Sequence, residues 1–477
     1  MTQTNPHPKA PKDPTAKRPY FYIMHAQEVY GSPQPDGRGI QFIYEDGRLA
    51  DCMKRVGNIT DEEMLREIPT AAGFKKIVNS IGVSVSEPGL NDVTFALQMY
   101  PNTPGEPSTT IKKRFRANGD EVLIELADID WVDTDNLIGQ IRYEFDKPGL
   151  LATVDARFYL NDGYTAPEQS ADTGVDFGSG NYVKMIGNSL MRAGNTDGVK
   201  KLIAKAKAGE KVTLSFIGGS ITQGAGATPI HMKSYARQVA NAFADEFYGG
   251  DLSKVDLIKA GVGGTPSELG MIRFKRDVLR DDTVKPDIVV IEFAVNDEGD
   301  ETKGACFESL IRKCLKLPWR PAIVLLFSVF SDDYNLQDRL GPIGEYYDIP
   351  MVSIKNAVSP QFNISPSDGR VISKNQYFYD QFHPSNNGHR IMCDSIMNLF
   401  KIVGADVEDE TAGASGTADY AAAADAYDKS WSDAASEALL KPLFMERARF
   451  EDVELLDKKD DPLPGGKYKF GKLYCYG

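Results

Sequence analysis

The chain has 477 residues, with 54 Lys and Arg against 68 Asp and Glu and a formal charge of −14. An acidic chain is a poor match for the phosphate backbone of nucleic acids, which favours clustered Lys and Arg. No apolar run approaches the ~20 residues that span a bilayer. The sequence therefore predicts a globular protein of two or three units that binds neither nucleic acid nor membranes.

Residues 1–18 are polar and rich in Pro, and we expect a disordered leader. They contain no apolar stretch of the kind found in signal peptides. We therefore expect a cytoplasmic protein, or a secreted one whose signal has been removed. The five cysteines are sparse and include no CxxC pair, so neither a zinc site nor a disulfide framework is indicated.

Residues 19–195 form the first predicted domain, a β-sandwich or jelly roll followed by a connection. After a first strand near Tyr20, strands are predicted at 94–99, 109–115, 121–127, 137–145 and 151–160, separated by turn signals such as PNTPGEP and DKPG. Strands at this spacing are typical of sandwiches. One helix is predicted at 60–67, with Thr60 as N-cap and Glu63 as its capping-box partner. The segment 164–195, rich in Gly, Ser and Asp, is expected to be the connection.

The second predicted domain spans residues 196–404 and is of the α/β class. After a basic helix at 198–208, strands are predicted from apolar runs without alternation at 211–217, 255–260, 287–295, 322–328 and 350–354. Helical patterns lie between them, as at 234–247, where apolar residues recur every four positions. Buried strands that alternate with helices predict a parallel sheet. Five such strands over ~200 residues fit a flavodoxin-like, doubly wound fold.

Residues 405–477 are predicted to be a linker and a C-terminal β tail. The first part is rich in Ala and Asp, which indicates a linker or a weakly packed helix. Strand-like segments at 448–456 and 467–476 would form the tail. This tail would either pack on the N-terminal domain or begin a further one.

The first candidate site residue is Ser220, which follows a predicted strand directly, behind Gly218 and Gly219, in LSFIGGSITQGAGA. Ligands of open α/β sheets bind at the carboxyl ends of the strands. A Ser at such an end, ahead of a helix, has its hydroxyl at the sheet edge and a backbone N–H near an anion. The alternatives are a plain strand–turn–helix connection and a phosphate loop, although no Walker sequence follows.

The second candidate is the pair Asp380 and His383 in YDQFHPSNNGH. A Ser hydroxyl is a weak nucleophile that needs a base, and His is the usual base near neutral pH. A carboxylate three residues earlier can hold the other ring nitrogen of that His. The alternative is a chance DxxH on the surface. Of the remaining histidines, His7 lies in the leader and His25 in the β domain. His231 is a candidate substrate contact, and His389 is expected to be structural, at the start of the last helix.

Two further candidates follow the next two strands of the predicted sheet. The segment GVGGT contains Gly263 and Gly264, and FAVND contains Asn296. A Gly N–H and an Asn amide are suitable donors to an oxyanion. Alone, each pattern is more often a turn or a helix cap. Asp297 and Glu298, directly after Asn296, are candidates for contacts with substrate hydroxyls, unless they only begin a solvated helix.

The blocks GGSIT, GVGGT, FAVND and DQFHP, in this order over residues 211–400, resemble the signature blocks of the SGNH (GDSL-type) hydrolases. The resemblance implies Ser220 as nucleophile, His383 as base and Asp380 as the residue that orients His383. It implies an oxyanion hole of the Ser220 N–H, the Gly264 N–H and the Asn296 side chain, with Gly263 as the competing register. Two departures are Gly219 in place of the family's Asp, and Ala294 where the family often has Gly.

The resemblance also implies a function. An N-terminal sandwich before an SGNH domain is similar to acetyl esterases that act on plant polysaccharides, so we expect a serine esterase whose substrate is an acetylated carbohydrate. No metal or organic cofactor is required, and oligomeric state does not follow from the sequence. Alternatives are a lipase, thioesterase or broad carboxylesterase, and a non-catalytic carbohydrate-binding protein. The β domain contains aromatic residues suited to stacking on sugars, namely Trp131, Tyr143 and Tyr159. The alternative for each is a place in the hydrophobic core.

Overall fold

The chain divides into two units, Met1–Thr173 and Gly174–Gly477. A computed structural model describes residues 18–45, 48–169, 172, 174–299, 302–412, 419–444 and 453. The predicted leader lies outside these residues, apart from Arg18. Most of the predicted connection after residue 173 belongs to the second unit, where it contributes a helix and a strand.

The first unit consists mainly of antiparallel strands. They are β1 (Tyr20–Tyr30), β2 (Ser32–Pro33), β3 (Gly39–Glu45), β4 (Val78–Ser86), β5 (Asp92–Pro101), β6 (Thr110–Arg116), β7 (Asn118–Glu125), β8 (Asp135–Phe145) and β9 (Leu151–Leu160). One sheet has the order β1-β9-β4-β7 and the other the order β2-β3-β8-β5-β6. Apolar side chains from both sheets, such as Phe95 and Phe158, share one core. The N-terminal region is therefore rich in sheet, as predicted.

The described part of the first unit also contains the short α-helices α1 (Leu49–Arg55), α2 (Glu62–Glu67) and α3 (Ala71–Ile77). The predicted cap of α2 is wrong by one residue, because Asp61 is the N-cap in place of Thr60. Its carboxylate accepts the backbone N–H groups of Glu63 and Met64 at 2.9 and 3.1 Å. A carboxylate at this position also interacts favourably with the helix dipole, which a Thr hydroxyl does much less.

The second unit is built on a six-stranded sheet. Its strands are β10 (Leu190–Arg192), β11 (Val212–Gly218), β12 (Val255–Gly261), β13 (Ile288–Glu292), β14 (Ala322–Phe327) and β15 (Met351–Ser353). The order is β10-β15-β14-β13-β11-β12, in which β11 to β15 are parallel and β10 is antiparallel to β15. Since β11 lies between β12 and β13, the carboxyl ends of these three strands are neighbours.

Helices pack on both faces of this sheet. They are α4 (Gly180–Gly187), α5 (Asp197–Lys207), α6 (Ser220–Gln223), α7 (Ile230–Lys233), α8 (Tyr235–Tyr248), α9 (Ser267–Asp277), α10 (Ala305–Lys316), α11 (Gln337–Tyr346), α12 (Ile354–Val358), α13 (Lys374–Tyr377), α14 (Asn386–Thr411) and α15 (Tyr420–Leu440). Successive strand residues point to opposite faces, so Val290 joins one core with α5, α8 and α14, while Ile291 joins the other with α9, α10 and α15. Within the described ranges, no helix is long and apolar enough to cross a bilayer.

The Ala- and Asp-rich stretch near the C-terminus forms a helix, which is one of its two predicted alternatives. The helix α14 continues to Thr411, past the predicted domain end at 404, and α15 follows. Trp431 on α15 is 2% exposed, and its Nε1 donates to the carbonyls of Arg320 and Pro321 at 3.1 and 3.2 Å. The predicted tail strands lie outside the described residues, apart from Val453.

Candidate active site

Ser220 is the first residue of α6 and follows the last residues of β11 at the carboxyl edge of the sheet. The turn between them requires glycine. A Cβ on Gly218 would lie 2.2 Å from Thr222 Oγ1 and 2.5 Å from the Glu292 carbonyl oxygen. A side chain therefore does not fit at this position, and the chain can pass directly from the buried strand into the helix that carries Ser220.

His383 lies between Ser220 and Asp380, so the three side chains form a relay. His383 Nε2 is 2.9 Å from Ser220 Oγ, and Nδ1 is 2.8 Å from Asp380 Oδ2 and 3.0 Å from Oδ1. These distances allow the imidazole to accept the Ser220 proton while the carboxylate holds Nδ1–H. The structure thus brings together the three residues predicted for catalysis.

Asp380 also shapes the turn that carries the base. Its Oδ1 accepts the backbone N–H groups of Phe382 and His383 at 2.8 Å each. Burial raises the pKa of Asp380, but the His383 ring and these backbone donors outweigh burial and hold the pKa below its ordinary value. The carboxylate is therefore ionised at neutral pH and stabilises an imidazolium at His383.

The loop after Ser220 is bonded to the start of α14, which brings His383 to the nucleophile. Thr228 and Asn386 exchange two hydrogen bonds of 2.8 Å each, through the backbone of one and the side chain of the other. Gly226 has a φ of +87°, and a Cβ there would lie 2.1 Å from the Pro384 carbonyl oxygen. The two loops therefore pack backbone against backbone, although their residues are far apart in the sequence.

His389 is structural, as expected. It is fully buried, its Nδ1 accepts the Tyr235 N–H at 3.2 Å, and its Nε2 donates to the Ala225 carbonyl at 3.0 Å. Burial lowers its pKa to about 4, so the ring stays neutral and keeps this pattern. His231, the candidate substrate contact, is exposed on α7, and that role stays a prediction.

The two glycines proposed as oxyanion donors differ in their contacts. The Gly263 N–H donates to Gln223 Oε1 at 2.9 Å. A Cβ on Gly263 would lie 3.7 Å from Ser220 Cβ, whereas a Cβ on Gly264 would have no neighbour within 4 Å. Gly264 has a φ of +68°, in the left-handed region that favours glycine. The Gly263 N–H is thus already engaged, and Gly264 as oxyanion donor stays a prediction.

Asn296 lies against the backbone of the nucleophile turn. A Cβ on Gly219 would lie 2.2 Å from Asn296 Oδ1 and 3.1 Å from Nδ2. The amide therefore occupies the space that a side chain at residue 219 would fill. A side chain at residue 219 would therefore displace the amide of Asn296.

Arg273 on α9 was missed by the sequence analysis. It is 1% exposed, and its guanidinium donates to the carbonyls of Ala260 at 2.6 Å and Gly218 at 2.9 Å while pairing with Asp277 at 3.0 Å. It thus ties the ends of β11 and β12 just before Ser220 and the glycine loop. In the sequence, the i, i+4 pair of Arg273 and Asp277 is indistinguishable from a surface ion pair.

Glu292, the last residue of β13, is a buried acid next to the nucleophile helix. Its Oε2 accepts the Thr222 hydroxyl at 2.9 Å, and the Thr222 hydroxyl lies 2.8 Å from Tyr235 OH. Burial raises the pKa of Glu292 to about 7. In the sequence, this group could have been found as the single acid at the end of an otherwise apolar run.

Asp297 is fully buried and accepts the Ser267 N–H at the start of α9 at 2.7 Å. The hypothesis that it contacts substrate hydroxyls is therefore wrong, because its carboxylate caps a helix inside the protein. Glu298 is exposed, and its contact with substrate stays a prediction.

The three aromatic residues proposed for sugar stacking belong to the first unit. Tyr143 is fully buried, so the stacking hypothesis is wrong for this residue. Trp131 Nε1 donates to the Leu126 carbonyl at 3.3 Å, and Tyr159 OH donates to Glu121 at 2.9 Å. Both are half-buried, and their stacking role stays a prediction. Among the residues that the structure describes, no group of three His, Cys, Asp or Glu has a geometry that could hold a metal ion.

Residues 216–391 match the model of the GDSL-like Lipase/Acylhydrolase family. The resemblance to the GDSL-type hydrolases is confirmed for this segment. It begins inside β11, ends in α14, and includes Ser220, Asn296 and His383.

Several solved structures are similar to the chain. A two-domain esterase active on acetylated mannans is 32% identical over 46% of this chain and 56% of that chain, with a TM-score of 0.41. A family two carbohydrate esterase from Cellvibrio japonicus is 11% identical over 81% of this chain and 98% of that chain, with a TM-score of 0.28. A carbohydrate acetylesterase from Sinorhizobium meliloti is 12% identical over 40% of this chain and all of that chain, with a TM-score of 0.30. The chain thus spans little more than half of the mannan esterase. No match to a curated protein was found.

Proposed function

We propose that the chain is a serine esterase that removes O-acetyl groups from carbohydrate through an acyl-enzyme. The observation that carries the proposal is the relay from Ser220 Oγ through the His383 ring to the Asp380 carboxylate, with contacts of 2.9 and 2.8 Å. The relay stands at the carboxyl edge of a parallel sheet, where ligands of such sheets bind. An assembled nucleophile, base and orienting carboxylate support catalysis over carbohydrate binding alone.

In the first half-reaction, Ser220 Oγ attacks the ester carbonyl carbon and His383 Nε2 takes the hydroxyl proton. The carbonyl oxygen becomes an anion, for which the proposed donors are the N–H groups of Ser220 and Gly264 and the amide of Asn296. The bond to the leaving oxygen then breaks, and His383 delivers the proton to that oxygen. The products are a free sugar hydroxyl and acetyl-Ser220.

In the second half-reaction, water replaces the sugar. His383 takes a proton from the water as its oxygen attacks the acetyl carbonyl, and the same donors stabilise the second anion. Collapse releases acetate, and His383 returns the proton to Ser220 Oγ. The ionised Asp380 favours the imidazolium in both halves.

A short acyl group is supported by the contents of the site. The Gln223 amide lies between the nucleophile helix and the glycine loop, where its Oε1 accepts the Gly263 N–H at 2.9 Å. A polar group in this position disfavours a long aliphatic chain. The sugar as alcohol is supported by the resemblance to two-domain acetyl esterases that carry an N-terminal β domain.

We also propose the finer fold assignments that accompany this function. A flavodoxin-like second unit is supported by the order β12-β11-β13-β14-β15, which is 2-1-3-4-5 in chain order. A sandwich in the first unit is supported by two antiparallel sheets that share one core.

Acetate release tests the function. Wild type and Ser220→Ala are incubated with acetylated mannan and acetylated xylan, and with ethyl acetate and ethyl butyrate as sugar-free esters. Ser432→Ala, on the distant helix α15, is the matched control for a Ser→Ala change. We expect turnover of the acetylated glycans by wild type and by the control, and a loss of at least ~10⁴-fold in kcat for Ser220→Ala.

The alternative functions give different results. Faster turnover of ethyl butyrate than of ethyl acetate would indicate a lipase or broad carboxylesterase. Glycan binding without acetate release would indicate a carbohydrate-binding protein. Wild-type turnover that survives in Ser220→Ala would overturn the nucleophile assignment itself.

A further inference from the structure

An aromatic ring stands beside the proposed base and leaves much of its surface open. Phe382 directly precedes His383 and is 46% exposed, and its ring centroid lies 6.3 Å from that of His383. We propose that Phe382 is the stacking platform for the sugar ring that carries the acetyl group. The inference rests on the proposed function and names the residue that recognises its substrate.

The Phe382 ring packs against a second aromatic residue, Phe330. The Phe330 ring meets Phe382 edge to face, with centroids 5.0 Å apart, and stacks on Tyr334 at 5.9 Å. Phe330 itself packs against the hydrophobic core of the second unit. Edge-to-face contact fixes the tilt of the Phe382 ring, and 46% of the side chain stays exposed to another partner.

The loops that carry these rings are held together by backbone hydrogen bonds. The Phe330 N–H donates to the Tyr334 carbonyl at 3.0 Å, and the Ser331 N–H donates to the Gln381 carbonyl at 3.0 Å. The Phe382 N–H donates to Asp380, as described above. A ring fixed in this way loses little conformational entropy when a ligand covers it.

The mechanism decides which part of the substrate lies over Phe382. His383 delivers its proton to the leaving oxygen, so that oxygen must lie within hydrogen-bond reach of Nε2. In a sugar ester this oxygen is bonded directly to the sugar ring. The sugar therefore lies on the His383 side of the site, where the exposed Phe382 ring has its centroid 6.3 Å from that of His383. The carbonyl oxygen of the ester points toward the proposed oxyanion donors.

A pyranose suits such a platform better than an alkyl alcohol does. One face of the sugar ring presents several C–H groups, which pack flat against the negative face of an aromatic ring. Apolar and aromatic side chains that bury such a face, with a few polar groups to fix orientation, are typical of small-ligand sites. A short alkyl alcohol covers too little of the ring to gain the same contact.

The test compares two acetate esters that share the acyl-enzyme. The ratio of kcat/KM for acetylated manno-oligosaccharides to kcat/KM for ethyl acetate is measured for wild type, Phe382→Ala, Phe382→Leu and Phe382→Trp. Tyr346→Ala, which removes a ring that is 44% exposed on α11, is the matched control. Acetyl-Ser220 is common to both esters, so the ratio reports on the leaving alcohol.

We expect Phe382→Ala to lower the ratio about tenfold, mainly through a higher KM for the oligosaccharide, because one stacked ring contributes on that scale. Phe382→Leu should lower it nearly as far, since Leu keeps the volume but has no ring, while Phe382→Trp and Tyr346→Ala should stay near wild type. This series separates stacking from a merely structural role, in which Leu would rescue and Trp would not.

Two results would overturn the inference. One is a ratio for Phe382→Ala within twofold of wild type. The other is a Phe382→Ala variant in which the preference between ethyl butyrate and ethyl acetate changes and the ratio does not. That result would assign Phe382 to binding of the acyl group. A wild type that hydrolyses ethyl acetate but no acetylated sugar would instead defeat the substrate part of the proposed function, and this inference with it, before any variant is compared.

Discussion

The Asp380→Asn variant replaces the carboxylate oxygen that faces His383 Nδ1 with an NH₂ group. In the wild type, Oδ1 accepts two backbone N–H groups at 2.8 Å each, and Oδ2 lies 2.8 Å from His383 Nδ1. The amide oxygen of Asn can keep both backbone bonds, which places its NH₂ group against Nδ1. An NH₂ group only donates, so Nδ1 must give up its proton. The neutral ring then carries its proton on Nε2 and cannot accept the one on Ser220.

The expected cost follows from this change of tautomer. We expect kcat to fall about 10⁴-fold, or ~5.4 kcal/mol in the barrier, while the turn keeps its shape. Steady-state turnover of ethyl acetate measures the first effect and thermal unfolding the second. Asp380→Ala is the control, because it also removes the acceptor for both backbone groups and should cost about 3 kcal/mol in stability. A variant Asp380→Asn within tenfold of wild-type kcat, or as unstable as Asp380→Ala, would refute the reasoning.

Three further predictions concern the surroundings of the relay. Gly219→Ala should lower kcat about 10²-fold, because the new Cβ would lie 2.2 Å from Asn296 Oδ1 and displace a proposed oxyanion donor. Arg273→Ala should cost about 3 kcal/mol of unfolding free energy, measured by urea titration, because it removes three hydrogen bonds, to the carbonyls of Ala260 and Gly218 and to Asp277. Glu292→Gln should gain stability over wild type as pH rises. The folded pKa of Glu292 is raised by burial from 4.5 to about 7, so its favourable contribution is complete below pH 4.5 and lost by about pH 7. The stability difference between the two proteins should then shift by about 3 kcal/mol in favour of the variant.

Each of these predictions has a result that counts against it. Gly219→Ala should have little further effect in an Asn296→Ala background, so additive losses would show that the two residues act independently. Arg273→Lys should recover only part of the lost stability, because an ammonium cannot reach both carbonyls and the acid at once. A pH-independent stability difference between wild type and Glu292→Gln would mean that the carboxyl does not titrate in this range.

Local pattern was enough to predict much of the fold. The apolar runs of β11 to β15 and the alternating strands β5 to β9 are visible because burial on two faces or on one leaves a clear periodicity. The strand β4 was missed, although Ile81, Val83 and Val85 alternate with Gly82 and Ser84 and are fully buried. In α15, only Ala424, Trp431 and Ala435 are buried, and three positions in 21 residues, two of them Ala, give a weak helical pattern.

Some residues of the candidate site could also be predicted from local pattern, and others could not. Ser220, Asp380 and His383 could be predicted because each lies in a short motif whose chemistry needs its immediate neighbours. Arg273 and Phe382 could not, since their roles depend on contacts between loops that are distant in sequence. An arginine that ties two strand ends and a phenylalanine that rests on another loop look like ordinary surface residues until the chain is folded.

The turn from Asp380 to His383 contains a position at which substrate selectivity could be redesigned. Its hydrogen bonds to the carboxylate use the backbone N–H of residue 382 and not the side chain. Position 382 can therefore be varied in a saturation library with the relay intact, provided that proline, which has no N–H, is left out. Such a library would change the surface that contacts the leaving alcohol, one residue away from the base. A screen on acetate esters of different alcohols could then select new substrate preferences while Ser220, His383 and Asp380 stay unchanged.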